Sequence, residues 1–115
     1  MESKIVREME KRLVKSFLDL VVVFELRKSS CLSGYDVIEH INKKFGLLVS
    51  PGTVYALLYS MERKGLIKAN YEEGKRVYTI TDKGTDFINS IVCSEAEIQR
   101  FFKLFLHDNS MLQSQ

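Results

Sequence analysis

The chain has no tryptophan, a single proline and two cysteines among its 115 residues. One proline and six glycines are too few for a proline-rich or glycine-rich linker, and no repeat or low-complexity tract is present. Cys31 and Cys93 form no C-x-x-C pair, which removes the usual signature of a zinc ribbon or a dithiol redox site. Their apolar neighbours lead us to expect buried or half-buried thiols in a reducing, intracellular setting. The two histidines, His40 and His107, lie far apart without ligand spacing, so no metal is expected, and His40 reads as a solvated residue on the polar side of its helix. There is no G-x-x-x-x-G-K-[ST] loop and no nucleophile with a base beside it. Glu72-Glu73 reads as an acidic turn. An enzyme is therefore not expected, nor a cofactor, and no residue is assigned a catalytic role. The chain also lacks an excess of either charge: 17 basic against 15 acidic side chains leave +2, so a polyanion would have to be met on one concentrated face. No long hydrophobic run exists. The most apolar stretch, residues 17–26, carries Asp19 and Glu25 and is too short for a membrane span. The first residues lack the layout of a signal peptide, so a cytoplasmic protein is expected.

What remains is a chain with 45% hydrophobic and 28% charged residues, enough for one small domain plus an appended element. Ile5, Met9, Leu13, Phe17, Leu20, Val21 and Phe24 recur at helical spacing and predict one helix over residues 4–28. Residues 21–23, three valines, would suit a strand equally well in isolation. Ser33 and Gly34 open a second helix over 35–45, with Asp36 in its first turn and Val37, Ile38, Ile41 and Phe45 as its inner stripe. Gly46 ends it. Ser50 as N-cap and Pro51 at the first helical position start a third helix over 51–64, whose inner face is Val54, Leu57, Leu58 and Met61.

Beyond Gly65 the pattern changes period. Leu66 to about Tyr71 and Arg76 to Thr81 read as two short strands joined by a polar tip, with Gly74 permitting the turn. Helix, helix, short hairpin is the order of a winged helix-turn-helix. The expected fold class is mainly α (α+β), with a two-stranded β wing and long N- and C-terminal helices.

That order gives the third helix a chemistry. One face packs, and the other stays polar or small enough to enter a major groove, where all four base pairs can be told apart. Ser50 and the backbone N–H groups of Gly52 and Thr53 are expected to hold a phosphate. Thr53 and Ala56 are placed to touch bases, while Tyr59, Ser60, Arg63 and Lys64 reach bases or backbone. Tyr55 and Tyr59 are open between core-edge packing and contact with double-stranded DNA. No Arg, Asn or Gln occurs between Ser50 and Met61, which points to modest base reading and more reliance on shape and backbone. Lys75 and Arg76 at the wing tip are expected on phosphates. Lys43, Lys44 and Lys68 read singly as solubilising charges.

A last helix is expected over 82–107, capped by Thr81 or Asp82. Phe101, Phe102 and Phe105 stand in a nearly continuous apolar end that little else in so short a chain could cover. A second copy is the expected cover: a homodimer burying Phe17, Val21, Ile91, Ile98, Phe101, Phe102 and Phe105. The division is 1–81 for the DNA-binding domain with its N-terminal helix, 82–108 for the dimerisation helix and 109–115 for a flexible tail.

Several short pieces together carry a family resemblance: Gly34-Tyr35, then Ser50-Pro51-Gly52-Thr53-Val54-Tyr55 with Leu58, then Met61-Glu62-Arg63-Lys64-Gly65-Leu66-Ile67, then Arg76-Val77-Tyr78-Thr79-Ile80-Thr81 ending in Lys83-Gly84. In these the chain resembles the PadR family of transcriptional regulators, over roughly residues 20–84, in a short form. The resemblance implies a dimeric winged-helix regulator, usually a repressor, on a palindromic operator. It implies DNA contact by Tyr55, Tyr59, Lys75 and Arg76. Some relatives sense phenolic acids or planar drugs between subunits; nothing in these residues fixes a small aromatic effector, and Phe101, Phe102 and Phe105 could line a cavity or simply pack. The rival reading is a winged-helix module that binds protein, for which the weak net charge and Glu72-Glu73 leave room.

Overall fold

The computed structural model describes residues 3–113, with side chains described through His107. Its elements are α1 (Lys4–Ser16), α2 (Leu18–Lys28), β1 (Leu32–Ser33), α3 (Gly34–Phe45), α4 (Pro51–Arg63), β2 (Ile67–Glu72), β3 (Lys75–Ile80), α5 (Asp82–Cys93) and α6 (Glu95–Gln113). The order is that of a winged helix-turn-helix, mainly α with one small sheet.

The core is built from one face of each central element. Val22, Val23 and Leu26 of α2 meet Val37 and Ile41 of α3, Val54, Leu58 and Met61 of α4, Ile67 and Tyr78 of the hairpin and Ile88 of α5. The inner stripes expected for α3 and α4 are those that are buried. The three valines of residues 21–23 lie in α2, because the flanking apolar positions give that segment a helix's full circumference to bury.

The ends of the central helices are set by their own residues. Ser33 Oγ accepts from Asp36 N at 3.1 Å, and Ser33 N donates back to Asp36 Oδ2 at 3.0 Å, a complete capping box for α3. Ser50 Oγ accepts from Thr53 N at 3.2 Å and starts α4, with Pro51 in the first turn as expected. Gly65, at φ 80°, turns the chain out of α4; a side chain there would be strained in the left-handed region.

Four expectations are corrected. The N-terminal helix is two helices, broken at Phe17 (φ −113°, ψ 38°). No glycine or proline marks the break. α2 takes the direction that buries Leu18, Val22, Val23 and Leu26, whereas α1 contributes no buried residue. The last helix is also two, broken at Ser94, whose Oγ donates to the Ser90 carbonyl at 2.8 Å; such back-bonding bends helices. α6 then continues past His107 to Gln113, so the expected tail from Asn109 begins inside a helix, and its last two residues lie outside the described residues. The sheet has three strands rather than two, in the order β1-β3-β2, because Leu32 and Ser33 pair with Tyr78 and Val77. Finally, Cys31 is half-buried as expected but Cys93 is exposed on α5.

The hairpin is tighter than expected. Glu72 pairs with Lys75, leaving Glu73 and Gly74 as a two-residue turn with φ 53° and 76°. Both central residues at positive φ match the right-handed twist of the strands.

Candidate nucleic-acid interface

α4 divides cleanly. Val54, Leu58 and Met61 are buried, while Gly52, Thr53, Tyr55, Ala56, Tyr59, Arg63 and Lys64 are exposed and Ser60 is half-exposed. The polar residues expected to meet DNA therefore share one outward side. At its start the geometry differs from expectation in one respect: the Thr53 N–H is engaged by Ser50 Oγ, and Val54 N donates to the Ser50 carbonyl at 3.2 Å. The Ser50 cap takes the Thr53 donor that a phosphate would otherwise take.

Tyr55 and Tyr59 are 41% and 53% exposed, which leaves their rings partly packed and partly open. The Tyr55 ring lies so close to Gly34 that any side chain there would collide with it. The start of α3, the outer side of α4 and the wing thus enclose a notch of ≈ 400 Å³, lined by Tyr35, Tyr55, Tyr59, Lys75 and Arg76 among others. Tyr35, at 67% exposure, was not among the expected contacts. The signal that could have found it is its place in the first turn of the helix before the recognition helix.

Lys75 stays exposed at the wing. Arg76 does not. Its Nε donates to Tyr78 Oη at 3.1 Å, Nη1 to Tyr71 Oη at 3.4 Å and Nη2 to Glu62 Oε1 at 2.6 Å. Its guanidinium lies 5.6 Å from the ring centres of Tyr59 and Tyr78 and 6.0 Å from that of Tyr71. The hydrogen bonds with Tyr78, Tyr71 and Glu62 hold its pKa well above even the usual arginine range. Glu62 and Tyr71 had no assigned role from sequence, because residues this far apart along the chain meet only in the fold.

The far end of α4 is tied to α5. Lys83 Nζ donates to the Lys64 carbonyl at 2.8 Å, Thr81 Oγ1 donates to the Leu66 carbonyl at 3.0 Å and accepts from Gly84 N at 3.0 Å. Gly84 is buried against the Leu66 carbonyl with no room for a Cβ.

Of the solubilising lysines, Lys43 pairs with Glu39 at 3.3 Å and Lys44 with Glu25 at 3.3 Å. Glu25 is buried, and His40 Nδ1 stands 3.7 Å from it, so the half-exposed His40 faces a carboxylate as well as solvent. No group of three or more His, Cys, Asp or Glu among the described residues could hold a metal ion. No helix among them is long and apolar enough to cross a membrane.

A second surface is apolar. A groove of ≈ 830 Å³ runs between the N-terminal helices and the α5–α6 arm. Phe17, Val21, Ile91, Ile98, Phe101 and Phe102 all line it. Phe105 does not, but stacks on Phe101 with ring centres 6.2 Å apart.

Fold and site define a winged helix-turn-helix DNA-binding protein. The chain belongs to the transcriptional regulator PadR-like family, whose model matches residues 23–90, more than half of its length. It is a transcriptional regulator and not an enzyme. Among solved structures it is similar to a PadR family transcription regulator from Clostridium difficile R20291, at 26% identity and TM-score 0.70 over 78% of this chain and 98% of that one. It is also similar to a PadR family regulator from Eggerthella lenta DSM 2243, at 22% identity and TM-score 0.73 over 89% and 92%. Bacillus subtilis PadR in complex with operator DNA matches at 23% identity and TM-score 0.56, over 66% of this chain and 46% of that one. Comparison with curated proteins finds no match.

Proposed function

We propose that the chain acts as a homodimeric repressor on a palindromic operator. In this reading α4 enters the major groove with Thr53, Ala56 and Tyr59 toward bases. Ser50, Gly52, Tyr55, Ser60, Arg63 and Lys64 meet the backbone, and Lys75 meets phosphates beside the groove. The observation that carries it is the outward side of α4, polar or small along its length and continued by the wing across the tyrosine-lined notch. The likeness in fold to a PadR protein solved in complex with operator DNA supports the DNA-binding reading.

Residues 1–81 would form the DNA-binding unit and 82–108 the dimerisation arm. The groove lined by Phe17, Val21, Ile91, Ile98, Phe101 and Phe102 would receive the partner's α6, with Phe105 on the same interface. A small aromatic effector would have to lie against Phe101 and Phe102, and would act on DNA binding through the dimer.

Footprinting on the DNA upstream of the chain's own gene, with an unrelated duplex as competitor, tests the reading. Protection of a palindrome at low protein concentration is expected. Protection that the competitor removes equally would favour the protein-binding module instead.

A further inference from the structure

Arg76 sits where a basic wing would touch phosphate, yet its guanidinium is already occupied. Three of the five N–H donors that an arginine carries have acceptors inside the protein. Tyrosine rings from α4, β2 and β3 surround it. The charge is matched by Glu62 at 2.6 Å. These partners come from three elements: Tyr59 and Glu62 from α4, Tyr71 from β2 and Tyr78 from β3.

Resting on the DNA-binding reading, we propose that Arg76 is a positioning residue, a latch that fixes the wing against the recognition helix, and not a phosphate ligand. Tyr78 is in the core, so the inner half of the hairpin is held by burial. The outer half is not: Tyr71, Glu72, Glu73, Gly74 and Lys75 are all exposed. Arg76 pairs with Tyr71 at the boundary between the halves. Its side chain is where the outer hairpin is tied to α4. Lys75, the next residue, inherits its position from that tie. The same guanidinium packs over Tyr59, which keeps the ring of an expected contact residue in place on the outward side of α4. A planar, forked donor set is what such a junction needs; an ammonium carries similar charge without the fork.

The two roles make opposite predictions at Glu62. Removing an acid beside a DNA-binding surface strengthens binding if charge alone matters. Removing it from a latch weakens binding. The probe is a duplex that the intact protein selects from a random-sequence library. For the latch, Glu62→Gln and Arg76→Lys should each weaken binding about tenfold, and the double variant should be no worse than either single one. The dependence of log affinity on log salt should keep its slope in Glu62→Gln, whereas Lys75→Ala should lower the slope by about one. Glu62→Gln binding as tightly as the parent or more so, or Arg76→Lys retaining parental affinity, overturns the latch. A readout independent of DNA accompanies these. The resonance of the Arg76 Nε–H, which donates to Tyr78 Oη, should exchange slowly with water in the free protein and quickly in Tyr78→Phe, and fast exchange in the parent also overturns it. Should the intact protein select no duplex, the DNA reading falls while this resonance still decides the latch.

Discussion

Ser33 and Asp36 decide where α3 begins, and Asp36 gives that start a pH dependence. The Ser33 N–H donating to its carboxylate holds the Asp36 pKa below the usual aspartate value of 3.8, with Ser33 Oγ, Lys75 and His40 adding to the effect. A depressed carboxyl stabilises the fold in its charged form. That contribution is present above pH ~4 and is lost as pH falls through the folded value. Asp36→Asn should therefore cost about 1 kcal/mol at neutral pH, measured by urea unfolding. The gap to the parent should close as pH drops below the aspartate range. A gap independent of pH would assign the loss to packing. Gly84 makes a second residue-scale prediction. A Cβ added there would run into the Leu66 carbonyl and the Ile80 side chain, so Gly84→Ala should destabilise by about 1–3 kcal/mol, as overpacking does. Because it would push α5 away from the end of α4, it should also weaken DNA binding; full stability in the alanine variant would contradict the close approach.

At the scale of elements, what the sequence disclosed follows from how local each signal is. α3 and α4 were legible because cap, period and stop all fall within one element: Ser33, Val37, Ile41 and Gly46 for one, Ser50, Val54, Leu58 and Gly65 for the other. The hairpin was legible through Gly74 and the run from Val77 to Ile80. The breaks at Phe17 and Ser94 were not, since neither position carries a glycine or proline. The first is set by which helix can bury valines in the core, the second by a serine hydroxyl turning back on its own helix. β1 is two residues long and exists only because β3 offers Tyr78 and Val77 as partners. The candidate interface divides in the same way. Its outward residues on α4 could be read from period alone, whereas the engagement of Arg76 by Glu62 and three tyrosines is a product of the fold. A surface ion pair of this exposure contributes roughly 0–1 kcal/mol to stability. Its consequence is expected in where the wing points and not in how well the domain folds.

The whole molecule is longer than one compact domain of its size. Its radius of gyration is 16.9 Å and its extents are 62 × 29 × 23 Å, against roughly 13 Å for a compact chain of this length. The excess comes from α1 and α6, which carry their apolar residues outward: Ile5, Met9 and Leu13 on one, Ile98, Phe101, Phe102 and Leu106 on the other. Such faces mark interaction surfaces, and a homodimer in which each arm lies in the partner's groove would cover them. Phe102→Glu places a charge in that groove and should convert the proposed dimer to monomer in sedimentation at micromolar concentration. A variant that remains dimeric would move the interface elsewhere.

The proposed dimer and the proposed role of α4 meet in one measurement, the selection of bound duplexes from a random library by the intact protein. Two α4 helices related by a twofold axis should enrich an inverted repeat whose half-site centres lie about 10 base pairs, ~34 Å, apart. Enrichment of a single unrepeated motif, or of no motif above the starting library, would contradict the account of this chain as a dimeric reader of palindromic DNA.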